Sequence, residues 1–531
     1  MYPKLVLTAC SVVFLVGILS QFGASFILDD AFIFARYAGN LIADSRMTWN
    51  PGGETTYGIT SSLFLGIVVP LRLLLPGQPA LSAGLSSLLC GILSLALLAL
   101  LFLRYTDAER DVRRLLTLLG FCSLASSIYY LAGHFTGGMD TTFAAAFLTS
   151  YIIFARRCES NPAPAPTIWL GLWGGLTFSA RPDLLLYAFL VPASIALCST
   201  NLRCRKNGCL ILLLTAAVTA IQIFLAWRYF DSPLPLSFYA KGTRLYGDFL
   251  IAQYRFLPAV ELLTYLASYW YLWALVGADI LLNCRHWASR GAAVEKGLLI
   301  ATVLYVLYYL FFVVQIMPYH QRFYYPTLPA LLFLAAQSAA RLLERISPAL
   351  RRELQPSSRS SRLLTTLFLL GLLFPAALHV GRDLGGQLRE GNMLNFDLVE
   401  DYKKRGSSYW FALDQISRLP DDLVMATTEV GLPAALNPGK AIVDLAGLNE
   451  TTFVQRGFSA SHMFDKYRPD LLYMPHPHYQ KISEQISTHP YFISHYEHFP
   501  ASSLGTEMDL ALWRDSRYYA TMRALVDAVA P

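Results

Sequence analysis

The sequence predicts an α-helical integral membrane protein of about eleven transmembrane helices, followed by a soluble α/β domain. Three observations predict it. The 531 residues are 55% hydrophobic and only 15% charged, where a soluble chain carries about 25% charge. Several apolar runs reach the ~20 residues that cross a bilayer core as a helix. The charge also splits along the chain: residues 1–381 hold 28 Lys and Arg against 17 Asp and Glu, and residues 382–531 hold 14 against 19.

The first apolar run, residues 5–28, stands behind Lys4, and no small-residue cleavage site follows it. It reads as a retained first helix rather than a removed signal. Further spans are expected near 82–103, 115–132, 141–155, 167–180, 184–199, 208–228, 258–283, 297–316, 324–340 and 363–381. With the N-terminus inside, the inside segments carry 19 of the 28 Lys and Arg of this half and the outside segments 9, as the positive-inside rule requires. The stretch Ser61–Leu75 is apolar but broken by Pro70 and Arg72. It is expected to lie along the outer surface. Residues 347–362, rich in Ser, Arg and Pro, form an inside loop.

The expected domains are therefore 1–381 in the membrane and 382–531 outside it, at the plasma (inner) membrane. Within the second, Leu423–Ala426, Ala441–Leu445, Leu471–Tyr473, Tyr491–His495 and Asp509–Trp513 read as strands, and Ser407–Arg418 as a helix. All eight cysteines lie at or before Cys284 and form no metal-like cluster. The basic excess is spread over membrane loops, so a nucleic-acid partner is not expected.

The residues that carry chemistry gather in the outside loops. Asp29 and Asp30 follow the first span in LDDAFIFARYAGNLI. One acid there marks the water interface. Two adjacent acids repel and desolvate each other, and suit cation binding or acceptance of a hydroxyl proton. Asp140 ends HFTGGMD, Arg181 and Asp183 flank a proline in SARPDL, Lys241 lies in SPLPLSFYAKGTRL, and His320 and Arg322 lie in MPYHQRFYYP. An isolated interfacial cation is usually a snorkelling anchor. Acids and cations on one membrane face point instead to transfer chemistry on a phosphorylated substrate.

These residues resemble a family. Asp29-Asp30 after helix one, W-N-P-G-G-E at Trp49–Glu54 and the Y-G-I-T-S-S-L-F run from Tyr57 look like the GT-C membrane glycosyltransferases. Among them the chain looks most like the mycobacterial terminal arabinofuranosyltransferases. T-G-G-M-D at Thr136–Asp140, A-R-P-D at Ala180–Asp183, P-L-P-L-S-F-Y-A-K at Pro233–Lys241 and D-L-A-G-L-N at Asp444–Asn449 keep that group's order over nearly the whole chain. The chain departs from it at Val313, Val314 and Gln315, where the group has G-G-D, at Asn449, where it has an acid, and at Leu236, where it has Asn.

The resemblance implies a GT-C-like fold and an inverting transfer of a sugar, arabinofuranose on the motifs, from a polyprenyl-phosphate donor to a glycan, lipid or protein acceptor. It implies Asp29 or Asp30 as base, Asp29 being the preferred one, and Lys241, Arg322, Arg181 and His320 as phosphate ligands. Trp49, Glu54, Tyr57, Asp140 and Tyr239 would meet the substrates, and a divalent cation is left open. A hexose transferase of the same architecture and a lipid-sugar transporter are the alternatives. A transporter would have broken helices at the midplane and acids within its spans. The charge asymmetry makes one prediction. In a background without native thiols, a cysteine at position 480 labels with an impermeant maleimide from outside and one at position 350 does not; the reverse pattern overturns the topology.

Overall fold

The computed structural model describes residues 2–242, 257–315, 319–345, 359–398, 418–475, 479–504 and 508–529. The chain opens with helix α1, Tyr2–Ser20, and a short 3-10 turn, Ala24–Phe26. Helix α2, Asp29–Asp44, follows, then α3, Ser62–Leu74, and α4, Pro79–Tyr105. A Ser61 hydroxyl that accepts from the Phe64 N–H starts α3, and Leu75 ends it after 13 residues, too few to cross a bilayer. At 27 residues α4 is about 40 Å long.

Helices α5, Arg110–Ser126, and α6, Ile128–Thr136, come next, then α7, Thr141–Ser160, α8, Pro164–Ala180, α9, Leu185–Cys198, and α10, Leu202–Phe230. The short α11, Leu236–Gly242, precedes helices Leu257–Ser268, Trp270–Leu282, Ala293–Phe311, Leu328–Arg345 and Arg359–Glu390. Among the described residues four helices are long and apolar enough to cross a membrane, or up to six if each of two bent pairs is one span. The pairs are the expected spans 115–132 and 258–283. The first bends by 80° at Ser127 and the second by 75° at Tyr269. The backbone leaves helical geometry at each of these residues, which an apolar-run reading does not register.

Small residues let these helices approach. Gly171, Gly174 and Gly175 of α8 meet Leu214, Thr215 and Val218 of α10 at distances that leave no room for a Cβ. Thr215 donates to the Gly171 carbonyl at 3.3 Å. This is the small-residue packing, with hydroxyls bonded across helices, of membrane bundles. At one end of the bundle the helices are tied by ions. Arg341 pairs with Asp279 and Glu295, each at 2.7 Å, and Arg156 pairs with Asp107 at 2.5 Å and Glu159 at 2.6 Å.

The C-terminal domain is a five-stranded sheet of β1, Val424–Thr427, β2, Ala441–Asp444, β3, Leu471–Tyr473, β4, Tyr496–Phe499, and β5, Leu510–Trp513. Its order is β2-β1-β3-β5-β4, with β2, β1 and β3 parallel and β5 antiparallel to both β3 and β4. Four expected strands are present. Tyr491–His495 is instead part of a helix, Pro490–His495: proline takes the first helical position and His489 caps the Tyr491 N–H, so the strand begins only at Tyr496. Residues 407–417 of the expected helix Ser407–Arg418 lie outside the described residues.

The sheet does not stand apart from the bundle. One apolar core contains Ile33, Phe34 and Tyr37 of α2, Trp49, and Phe64 of α3, together with Met425, Ile442 and Leu512 of the sheet. Within that seam the Arg36 guanidinium donates to the carbonyls of Trp49 (2.7 Å), Ala434 (3.0 Å), Asn437 (3.1 Å) and Lys440 (2.7 Å), and to Asn50 Oδ1 (3.1 Å). Arg36→Met leaves three carbonyls of the C-terminal domain without this donor. It should cost about 3 kcal/mol, read as a lower melting temperature and faster proteolysis of the C-terminal domain. Wild-type protection would show that the apolar seam alone holds the two parts.

Candidate active site

Two cavities meet at the start of α2. The larger, about 120 Å³, is walled by bundle residues including Asp140, Arg181, Asp183, Tyr308, Tyr309 and Val313, and by Ser237, Phe238 and Lys241 of α11. The smaller, about 30 Å³, is lined by Asp29, Thr428, Glu429, Val430, Ala446, Leu448 and Tyr479. Asp30, Lys241 and Arg322 line both. They form the wall between a membrane-side and a domain-side space.

The acid pair divides its work. Asp29 accepts from the backbone N–H of Gly431 (Oδ2, 3.0 Å) and of Leu432 (Oδ1, 2.7 Å), so both oxygens are occupied by the C-terminal domain. Asp30, one residue and about 100° further round the helix, pairs with Arg322 at 2.9 Å. Burial, with Asp30 alongside, pushes the Asp29 carboxyl up to about 6. Burial acts on Asp30 in the same direction, but Arg322 and Lys241 outweigh it and hold the carboxyl below its ordinary value. Asp30 is thus the acid kept ionised at the junction of the cavities.

The other polar groups are fixed by their neighbours. Asp183 accepts from Arg181 (2.7 Å), Tyr305 (2.7 Å) and Tyr309 (2.5 Å), and Arg181 also stands 3.6 Å from Asp140. Asp140 in turn accepts from Thr60 at 3.4 Å. Lys241 and Arg322 lie over the Phe323 ring, 5.4 and 5.1 Å from its centre. Ser237, one turn before Lys241 on α11, is buried, and its hydroxyl has no hydrogen-bond partner among the described residues.

Of the residues singled out in the sequence, Asp29, Asp30, Asp140, Arg181, Lys241 and Arg322 come together here. His320 does not. Its ring packs on Gly133 of α6, its carbonyl meets His134 Nε2 at 2.8 Å, and it lines neither cavity. Trp49 is spent on docking, its indole N–H donating to the Ile442 carbonyl at 2.7 Å. Tyr57 stacks on Phe230 at 4.5 Å while its carbonyl receives the Leu236 N–H that begins α11. Glu54 is exposed, and Tyr239 packs with the apolar core of the C-terminal domain.

In D-L-A-G-L-N, Asp444 and Asn449 build a turn, while Ala446 and Leu448 line the smaller cavity. Asp444 accepts from the N–H groups of Ala446, Gly447 and Asn449, and Asn449 Oδ1 receives the Tyr37 hydroxyl at 3.0 Å. Glu429, Thr428 and Tyr479 were not singled out in the sequence. Their one signal is position, after the ends of β1 and β3.

The acid pair does not suit a divalent cation. Asp29 is directed to N–H groups, Asp30 to Arg322, and among the described residues no three His, Cys, Asp or Glu side chains converge.

No protein-family model matches the chain, and neither does the sequence of any curated protein. Solved structures do. ArnT from Cupriavidus metallidurans bound to undecaprenyl phosphate superposes with a TM-score of 0.55 at 14% identity, covering 97% of this chain and 98% of that one. Its apo state gives 0.53 at 12%, covering 96% and 98%. The chain shares the fold of ArnT. At this identity the likeness speaks for fold alone, while the site rests on its own geometry.

That geometry suits an anion. The larger cavity offers Lys241, Arg322 and Arg181 along with the Ser237 hydroxyl. Burial, and Arg322 beside it, push the Lys241 ammonium down to about 8. Lys241 is therefore charged below about pH 8 and neutral above it. A phosphate monoester is already fully ionised there, its second pKa being about 6. Binding of dodecyl phosphate to the purified protein should accordingly weaken as pH rises through about 8. Lys241→Arg should move that loss to higher pH. A flat profile between pH 7 and 9 would remove Lys241 from the anion site.

Proposed function

We propose that the chain is a membrane glycosyltransferase that moves a sugar from a polyprenyl-phosphate donor to an acceptor hydroxyl at the outer face of the membrane. The observation that carries this reading is the Asp30–Arg322 pair, with Lys241, standing between a bundle-side and a domain-side cavity. A donor phosphate in the larger cavity and an acceptor in the smaller one would meet at Asp30. The shared fold with an enzyme solved with undecaprenyl phosphate supports a lipid phosphate as the anion. The motif resemblance favours arabinofuranose as the sugar, a hexose being the alternative.

In this mechanism the acceptor hydroxyl attacks the anomeric carbon from the face opposite the phosphate. The new glycosidic C–O bond forms as the bond to the phosphate oxygen breaks, with inversion. The leaving electron pair stays on polyprenyl phosphate, where Lys241 and Arg322 stabilise it, and the hydroxyl proton passes to Asp30. Donor phosphate competes with Asp30 for Arg322. Binding the donor therefore frees the base at the moment it is needed. Asp29, committed to Gly431 and Leu432, holds the C-terminal domain in place instead. The acceptor, a glycan, lipid or protein, would arrive from the aqueous side under that domain, which is extracytoplasmic on the charge asymmetry of the loops.

The two bent helix pairs are a feature of transporters. Their breaks, however, hold Ser127 and Tyr269 rather than charged groups, and the acids and cations of the site gather at one end of the bundle. Transfer is the better fit. Asp30→Asn should lower the rate of transfer by about 10²–10⁴-fold without weakening undecaprenyl phosphate binding. Asp29→Asn should retain measurable turnover with a less stable protein. Wild-type turnover in Asp30→Asn would remove Asp30 as base.

A further inference from the structure

We propose that the carboxyl edge of the C-terminal sheet is the acceptor subsite, with Glu429 as the residue that binds an acceptor hydroxyl, and that the acceptor is a polyhydroxylated sugar. The proposal rests on the glycosyl-transfer reading above and deepens it.

The topology places the subsite. Strands β2, β1 and β3 are parallel, so their carboxyl ends share one edge of the sheet. Thr428, Glu429 and Val430 leave the end of β1, Ala446 and Leu448 follow the end of β2, and Tyr479 lies beyond the end of β3. All six line the smaller cavity together with Asp29, Asp30, Lys241 and Arg322. The chain runs from β1 outward to β2 and then back past β1 to β3. Strand order therefore reverses between β1 and β3, and open α/β sheets bind their ligands at the carboxyl end of that reversal. Glu429 and Tyr479 flank it.

The chemistry divides the two substrates by charge. Cations shared with the larger cavity suit the phosphate of the donor. A carboxylate with a neighbouring threonine hydroxyl and a tyrosine ring would repel an anion, yet it suits a neutral polyol, whose hydroxyls donate to carboxylates and whose ring faces pack on aromatics. Glu429 is 4% exposed and its backbone N–H bonds the Thr427 hydroxyl at 3.2 Å. Two residues on, Gly431 is fixed by Asp29. Glu429 and Asp30 thus line one cavity. The space of about 30 Å³ is the share of one water. It admits one hydroxyl of the acceptor beside Asp30 and Glu429.

The test uses the full-length protein in lipid nanodiscs. The donor is radiolabelled polyprenyl-phosphate sugar from membranes of the source cell, and the acceptor is surface glycan from cells lacking the gene. Glu429→Gln should raise the KM for acceptor by about tenfold or more, the loss of a hydrogen bond to a charged group. Donor KM and undecaprenyl phosphate binding should stay within about twofold, and Glu429→Asp should recover part of the acceptor affinity. Should Glu429→Gln not fold, Thr428→Val carries the same comparison. An unchanged acceptor KM overturns the subsite. A parallel loss of donor affinity also overturns it, because Glu429 would then act through Lys241 and Arg322. A wild-type protein that transfers no sugar from any polyprenyl phosphate sinks the transfer reading itself, which is a different result from an active wild type with an indifferent Glu429.

Discussion

The arrangement depends on α2 having two working faces. Asp29 and Arg36 are seven residues apart, two turns along one side of the helix, and both are bound to the C-terminal domain. Asp29 takes two of its N–H groups and Arg36 gives hydrogen bonds to three of its carbonyls. Asp30, about a quarter turn away, looks to Arg322 and the cavities instead. Because one rigid helix carries both faces, the distance between the sheet and Asp30 is set by helix geometry. Backbone contact at that point is close: a Cβ on Gly431 would overlap the Asp29 carbonyl, and one on Gly58 would overlap the Asn449 side chain and the Tyr37 hydroxyl. Only glycine permits either approach.

Such a seam places charges where water is scarce, and each is compensated differently. Arg36 meets only carbonyl and amide oxygens, so its five donors are satisfied without a counter-ion. Arg181 is held between Asp183 and Asp140, and two tyrosine hydroxyls complete the Asp183 shell. Among the described residues Asp30 has Arg322 at hydrogen-bonding distance, with Lys241 nearby. A phosphate offers a guanidinium the same geometry as a carboxylate. The ion pairs among Arg341, Asp279, Glu295 and Arg156 differ: they join helix ends away from both cavities.

The sequence by itself determined the class of protein, the strands and the chemistry-bearing loops, because apolar runs, β-rich runs and ions placed at helix ends are local properties of the chain. Asp29, Asp30, Asp140, Arg181, Lys241 and Arg322 were legible for that reason, and so were four of the five strands. What each acid binds was decided by tertiary structure: neighbours on a helix point about 100° apart, and Asp29 meets the C-terminal domain while Asp30 pairs with Arg322. Trp49 and Tyr57 look the same in sequence whether they stack on a sugar or on a protein neighbour, and only the structure shows Trp49 bonded to Ile442 and Tyr57 stacked on Phe230. His320 sits two residues from Arg322 yet turns to α6 through a positive φ of 55°. Glu429 carried no local signal at all. Its place in one cavity with Asp30 exists only because a parallel strand ends there and a helix some 400 residues earlier in the chain holds that end against the membrane bundle.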